Sequence, residues 1–369
     1  MNKNIIFHIP FYADKNHLSG SNIRPYKMIE AFEKIGFNVD VVMGYGAERK
    51  TQIENIKKNI EKGVLYDFCY SESSTMPTLL TEKNHLPKYP NLDFGFFKYL
   101  KSKNIKIGLF YRDIYWLFEQ YKNNVSFLKR AVSTYFYKYD LKKYVDLVDI
   151  IYLPSLKMKS YIPINQNFNF KELPPAIDEE VKYEKPEHED LKFFYVGGLG
   201  DLYKLDEFLK ATSSLEFAKV TICTRKEEWE SLKDKYQPYL NDNVKIIHEK
   251  PEGYEPYLKE ADIGVLYMEP VEYRDFAMPV KLFEYIKYSK PILSVKGSAV
   301  GNFVEKNDIG WVLHYSSYEL KNLLTKLFQD KKEIEMKTRN TKEIIPQNTW
   351  TARATKVKED LSKWRLCQL

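Results

Sequence analysis

The sequence predicts an α/β protein of two doubly wound parallel sheets, one in each half of the chain, with their carboxyl-end loops facing a cleft. Three observations predict it. Short apolar runs alternate with helix-length amphipathic segments in both halves. At 369 residues the chain exceeds one ordinary core. A polar, proline-containing stretch without periodicity, VKYEKPEHEDL, interrupts the alternation midway. The expected organisation is a first domain over 1–178, a linker over 179–191, a second domain over 192–345 and a terminal helical segment over 346–369.

The first half opens with the strand NIIFHIPF. A glycine-bearing loop, LSGSN (Leu18–Asn22), leads into the helical RPYKMIEAFEKIG and the strand NVDVVMGY. Such a loop can present backbone N–H groups to an anion at the helix start, with Gly20 as the candidate, although turns need glycine for conformational reasons alone. Strand LYDFCYS, helix LDFGFFKYLKSKN and strand IKIGLFY follow, then RDIYW, and LVDIIYLPS closes the half as a strand.

The second half restarts with KFFYVGGLGD, a strand running into glycines. Helix YKLDEFLKATSSL, strand KVTICT, helix KEEWESLKDKYQPYL, strand VKIIHE, helix YEPYLKEA and strand DIGVLYM come next. In MPVKLFEYIKYSKPILSV (278–295) a helix leads to the strand PILSV, and a last strand lies near GWVLHY. Pro279 suits the first turn of that helix, where its missing N–H costs nothing. Lys281, Glu284 and Tyr288 follow at i, i+3 and i+7 on one face, while Val280, Leu282, Phe283 and Ile286 supply the packing side. Two readings fit this spacing. Lys281 and Glu284 can form a surface pair of a few tenths of a kcal/mol. Alternatively, the early helical position carries Glu284 to the mouth of a parallel sheet, where a ligand hydroxyl would reach it. NTWTARATKVKEDLSKW reads as a final amphipathic helix with Asn348 or Thr349 as its cap.

Composition narrows the class. With 44% hydrophobic and 29% charged residues, the chain has the balance of a soluble protein, and its 29 Tyr and 22 Phe fit core filling or stacking. Cys69, Cys223 and Cys367 are widely separated, with no disulfide framework and no zinc spacing. The first residues read neither as a signal peptide nor as a spanning helix, so a cytoplasmic location is expected. The net charge of +6 is uneven: residues 1–178 carry 26 Lys+Arg against 18 Asp+Glu, and the remainder 31 against 33. A basic first half suits an anionic partner. No basic-aromatic nucleic-acid motif is present. FLKRAVSTYFYKYDLKKYVDLV (127–148), with Lys129, Arg130, Lys138, Lys142 and Lys143 among Tyr and Phe, has the character of an interfacial amphipathic helix on an anionic membrane; a solvated helix with snorkelling lysines fits equally.

Candidate chemistry gathers in the second half: the turn GGLGD with Gly197 and Gly198, then Lys204, the strand end CTR with Arg225, and Lys281 with Glu284. Glycines let a backbone approach a diphosphate, cations balance it, and a carboxylate takes ribose hydroxyls. VGGLG lacks the dinucleotide fingerprint.

These residues carry a resemblance. The second half resembles the nucleotide-sugar domain of GT-B glycosyltransferases, especially the retaining family 4 enzymes. FYVGGLGDLYK is similar to the family's Gly-Arg turn with a lysine six residues on, MPVKLFEYIKYSKPILSV to its P-x-K-x-x-E-Y…G-K-P block, and ELPPAID to the phrase ending its first domain. NTWTARATKV resembles the last helix, which in the family crosses back to the first domain. LSGSN sits at the family's Gly-Gly loop and FYRDIYW at its His-Asp or Arg-Asp strand end.

The resemblance implies two Rossmann-like domains, a nucleotide-sugar donor, a glycan or lipid-linked acceptor, and transfer with retention at the anomeric carbon. It implies donor binding by Gly20, Gly197, Gly198, Lys204, Arg225, Pro279, Lys281, Leu282 and Glu284, the last on the ribose. Catalytic positions fall on Arg112, Asp113 and Lys204, with no cofactor and no metal. The sequence departs from the pattern twice: the first of the family's two glutamates falls on Phe276, and its arginine on Gly198, for which Arg225 or Lys281 would substitute. Those departures suit the alternative of a catalytically silent GT-B partner or chaperone of another transferase; a nucleotide-sugar epimerase on the same scaffold is a second alternative, since fold does not fix function.

Overall fold

A computed structural model describes residues 3–14, 20–165, 167–178, 180–184, 186–200 and 202–362. The chain divides into two compact units, Met1–Pro174 with Trp350–Leu369, and Pro175–Thr349.

In the first unit the strands are β1 (Lys3–His8), β2 (Phe37–Val42), β3 (Tyr66–Glu72), β4 (Lys106–Phe110), β5 (Ile150–Leu153) and β6 (Phe170–Glu172). They form one parallel sheet in the order β2-β1-β3-β4-β5-β6. Its helices are α1 (Gly20–Lys34), α2 (Gly46–Glu61), α3 (Leu92–Ser102), α4 (Glu119–Asn124) and α5 (Phe127–Leu147). The core gathers Phe7, Phe32, Phe68, Tyr70 and Tyr152 around the sheet. The helix Trp350–Ser362 completes it by inserting Ala354, Val357 and Leu361 into the same cluster, and Lys171 of β6 pairs with its Asp360 at 2.6 Å.

The second unit holds β7 (Leu191–Val196), β8 (Ala218–Cys223), β9 (Val244–Ile247), β10 (Ile263–Leu266), β11 (Ile292–Val295) and β12 (Gly310–Leu313). These strands are also parallel, in the order β12-β11-β10-β7-β8-β9. Helices α6 (Asp206–Thr212), α7 (Lys226–Tyr236), α8 (Pro251–Glu260), α9 (Val280–Lys287), α10 (Ala299–Asn307), α11 (Ser317–Gln329) and α12 (Lys332–Glu343) connect them; Trp350–Ser362 is α13. The chain builds outward from β7 through β8 to β9, then returns to place β10 on the other side of β7. That reversal makes a crevice outside the carboxyl ends of β7 and β10, where open parallel sheets bind ligands.

Helix α9 forms because Leu282, Phe283, Tyr285 and Ile286 line one buried face, and it stops where Ser289 adopts a left-handed φ of 54°. Gly264 in β10 admits the Tyr285 ring, which a Cβ there would overlap. The Tyr285 hydroxyl in turn accepts the Val196 amide at 3.1 Å and ties α9 to the end of β7. Among the described residues no helix is long and apolar enough to cross a membrane.

Candidate functional site

The crevice at β7 and β10 brings together most of the candidates from the second half. Strand β7 runs directly into Gly197 and Gly198. Gly197 has a φ of 148°, and a Cβ on it would overlap the Lys281 ammonium. Lys281, on the first turn of α9, therefore lies against the glycine turn. Its Nζ is 4.8 Å from the Tyr195 ring centre, 4.7 Å from that of Tyr203 and 3.5 Å from the Tyr195 hydroxyl. Burial and the nearby Arg274 charge pull its pKa down to about 7, against the opposing pull of Glu284 and Glu228.

Glu284 is half-buried three residues on, and it does not pair with Lys281. Its Oε1 accepts the Tyr254 hydroxyl of α8 at 2.5 Å. Burial raises the Glu284 pKa, while the Tyr254 bond and the Lys287 and Lys281 charges draw it back. The surface-pair reading of this helix face is thus replaced by two inward-directed groups with separate partners. Pro279 stands just before α9 as its cap residue, with ψ at 145°. Leu282 buries its side chain in the core, and its amide donates to the Pro279 carbonyl at 3.2 Å.

Beside the turn, a cleft of about 380 Å³ is lined by Gly197, Gly198, Cys223, Arg225, His248 and Lys250 among others. Arg225 lies at its rim with the side chain 78% exposed, paired to Glu228 at 2.5 Å. The other oxygen of Glu228 accepts the Leu199 amide at 3.0 Å, so this carboxylate joins Arg225 to the glycine turn. Lys204 reaches across to Glu269, just beyond β10, with Nζ and Oε2 2.6 Å apart. Phe276 is buried against Tyr273, with ring centres 5.1 Å apart.

Arg274 is the site residue that the sequence reading missed. It sits in the short helical turn Glu272–Asp275 and is only 9% exposed. One guanidinium nitrogen donates to the Leu202 carbonyl, and the Cζ lies 5.0 Å from the Tyr203 ring centre. Burial lowers its pKa, opposed by the surrounding tyrosines. No motif marks this arginine; only the return of the chain after β10 brings it to Tyr203.

In the first unit, Gly20 opens α1, while Leu18 and Ser19 of the same loop lie outside the described residues. Arg112 and Asp113 follow β4 but do not pair with each other. Arg112 donates to Glu72 Oε2 at 2.8 Å and to the Ser73 carbonyl at 3.2 Å. Asp113 Oδ1 accepts the amides of Ile114 and Tyr115 at 2.7 and 3.0 Å, holding the short turn Tyr115–Leu117. Glu72, fully buried, also accepts Arg24 Nε at 3.1 Å and the Tyr70 hydroxyl at 3.0 Å. Among the described residues no group of three His, Cys, Asp or Glu side chains is placed to hold a metal ion.

No protein-family model and no curated protein matches the chain. Solved structures do. Sucrose-phosphate synthase (tll1590) from Thermosynechococcus elongatus superposes with a TM-score of 0.65 at 12% identity, over 99% of this chain and 100% of that one. Anabaena Alr3699/HepE, in complex with UDP and glucose, gives 0.60 at 10% identity, over 97% and 99%. WaaG, a glycosyltransferase involved in lipopolysaccharide biosynthesis, gives 0.59 at 15% identity, over 97% and 100%. At these identities the likeness is one of fold, and the chain has the two-domain GT-B fold.

Proposed function

We propose that the protein is a glycosyltransferase of the hexosyltransferase type, moving a sugar from a nucleoside diphosphate sugar to an acceptor hydroxyl with retention. The observation that carries this reading is the convergence of the Gly197–Gly198 turn, Lys281 and the Glu284 carboxylate at the β7–β10 crevice. In this scheme Glu284 accepts from the ribose hydroxyls, while the turn amides, Lys281 and Lys204 balance the diphosphate as charge develops on it. The departing phosphate takes the proton of the incoming hydroxyl on the same face, so neither a paired carboxylate nor a metal is required. Asp113 and Arg112 are assigned to the acceptor side. The fold neighbours that bind UDP and glucose, or serve lipopolysaccharide biosynthesis, support a nucleotide-sugar donor and a role in surface polysaccharide or glycolipid assembly.

Thermal unfolding with UDP, GDP, dTDP and CMP tests the donor site. A nucleotide at one hundred times its Kd stabilises by about 2.7 kcal/mol. We expect one of the four to raise the Tm, and Glu284→Ala to lose most of that shift. Equal shifts in both proteins would remove Glu284 from the site. Phe276, buried where the resembled family has a glutamate, favours a second reading as a nucleotide-sugar-binding partner without transferase activity. Nucleotide binding without release of the diphosphate from any sugar nucleotide would select it.

The same proposal includes peripheral docking on the cytoplasmic face of an anionic membrane. Buried, unbridged Cys69 and Cys223 suit a reducing compartment. On α5, Phe127, Leu128, Val132 and Tyr135 are 71%, 76%, 53% and 66% exposed. Leu128, Ala131, Val132 and Tyr135 share one outward face, with exposed Lys129, Lys138 and Lys142 on the same helix. Vesicles containing phosphatidylserine should sediment the protein, and Leu128→Glu with Val132→Glu should release it by roughly tenfold. Equal sedimentation of the two proteins would remove α5 from the membrane contact.

A further inference from the structure

Gly198 stands where the resembled pattern has an arginine, so the turn brings no cation of its own to a diphosphate. Two cations nevertheless meet beside it. Lys281 Nζ and Arg274 Cζ lie 4.7 and 5.0 Å from the centre of the same Tyr203 ring. Neither forms an ion pair with a carboxylate among the described residues. Glu228 is engaged by Arg225 and the Leu199 amide, and Glu284 by Tyr254. Arg274 is more than nine-tenths buried, and its Nε has no hydrogen-bond acceptor among the described residues. Burying a guanidinium donor without a partner is costly, and the ring face of Tyr203 returns only part of that cost. A buried unpaired donor beside a second cation, at the switch point of a parallel sheet, is a site awaiting an anion.

We propose that Arg274 and Lys281 together form the anion clamp for the donor's diphosphate, with the arginine supplied by the turn after β10 instead of the turn after β7. This inference rests on the nucleotide-sugar reading and assigns the phosphate contacts within it. The planar fork of Arg274 suits two phosphate oxygens, and Nε is the nitrogen left to engage them.

Inorganic pyrophosphate separates the clamp from the base and ribose. Calorimetric titration of the wild type, Arg274→Met and Arg274→Lys with pyrophosphate, with the nucleoside diphosphate that binds, and with its parent nucleoside tests the assignment. Arg274→Met should weaken pyrophosphate and the diphosphate by about 10–100-fold, leaving the nucleoside within twofold. Arg274→Lys should fall between. The apo Tm of Arg274→Met should hold or rise, because an unpaired buried charge has been removed. A lowered apo Tm with unchanged pyrophosphate affinity would make Arg274 a structural residue and overturn the proposal. So would an equal loss of nucleoside and pyrophosphate binding. Failure of the wild type to bind any nucleoside diphosphate would instead strike the donor reading itself, and pyrophosphate binding lost in Arg274→Met would still uphold the anion clamp.

Discussion

Exchanging Glu72 for glutamine is expected to remove about 3–5 kcal/mol from the stability of the first unit. The carboxylate is fully buried and is the common partner of Arg24 at 3.1 Å and Arg112 at 2.8 Å. Arg24 is itself buried over the Phe110 ring, 3.6 Å from its centre, with a further donor directed at the Pro174 carbonyl. Glutamine preserves the volume and an acceptor but not the charge, so two enclosed guanidinium groups lose the ion that offsets their desolvation. At about 2–4 °C per kcal/mol, the transition of this unit should fall by roughly 6–20 °C. A fall of less than 2 °C would mean that water already reaches this network. Arg112→Met should be milder, since Arg24 and Tyr70 would still hold Glu72 Oε1 and only Oε2 would lose its partner.

Lys281→Met is expected to act in opposite senses on stability and on binding. The ammonium faces Tyr195 of β7, Tyr203, Arg274 from the turn before α9, and at longer range Glu228 of α7 and Glu284 of its own helix. Its pKa falls from 10.5 to about 7 on folding, so between pH 7 and about 10 the unfolded chain binds more protons than the folded one. Folding stability from this group therefore rises with pH across that window and is lowest below pH 7, where both states are charged. Methionine should add about 1–3 kcal/mol to the apo protein at neutral pH and flatten that rise. The same change should weaken a bound diphosphate by about a hundredfold, because an anion draws the amine back to its charged form. In the wild type, diphosphate binding should take up a proton, visible in calorimetry as a heat that depends on the buffer, and affinity should fall as pH rises above about 7. A buffer-independent heat with a flat pH profile would show that Lys281 is already charged before the anion arrives.

Much of the fold could be read from the chain because parallel sheets write themselves as apolar runs separated by helices. The βαβ unit around α9 is the clearest case, since strand, proline-led helix and strand each have a local cause. Helix α2 and the helices α10 to α12 drew no assignment in the sequence reading. Strand β6 is a three-residue edge segment inside NFNFKEL, too short to establish a period. The site divided along another line. Glu284 and Lys281 could be placed because helical spacing fixes which residues share a face. Their partners could not be named: Tyr254, Tyr195 and Tyr203 come from other elements, and nothing local distinguishes them among the 29 tyrosines. Arg112 looked like half of an Arg-Asp pair, yet it joins Glu72, forty positions away in the chain. That pairing follows from the strand order, because β3 and β4 are neighbours with Glu72 beside Phe110. Arg274 had no pattern to betray it, since its significance lies in what it fails to contact.

The placement of α13 bears on how the molecule is made. The segment Pro175–Thr349 is continuous and can collapse as it emerges from the ribosome, whereas the first unit must wait for Ala354, Val357 and Leu361 to close its core. At ordinary translation rates of about 5–20 residues per second, the roughly 175 residues between Pro174 and α13 hold that core open for some ~10–35 s. During this interval the nascent chain exposes the apolar seat of a missing helix while the second unit is still being made. Chaperone demand in synthesis should therefore fall on the part of the protein that is translated first, and a chain released before α13 should be cleared by proteolysis with its second unit still folded.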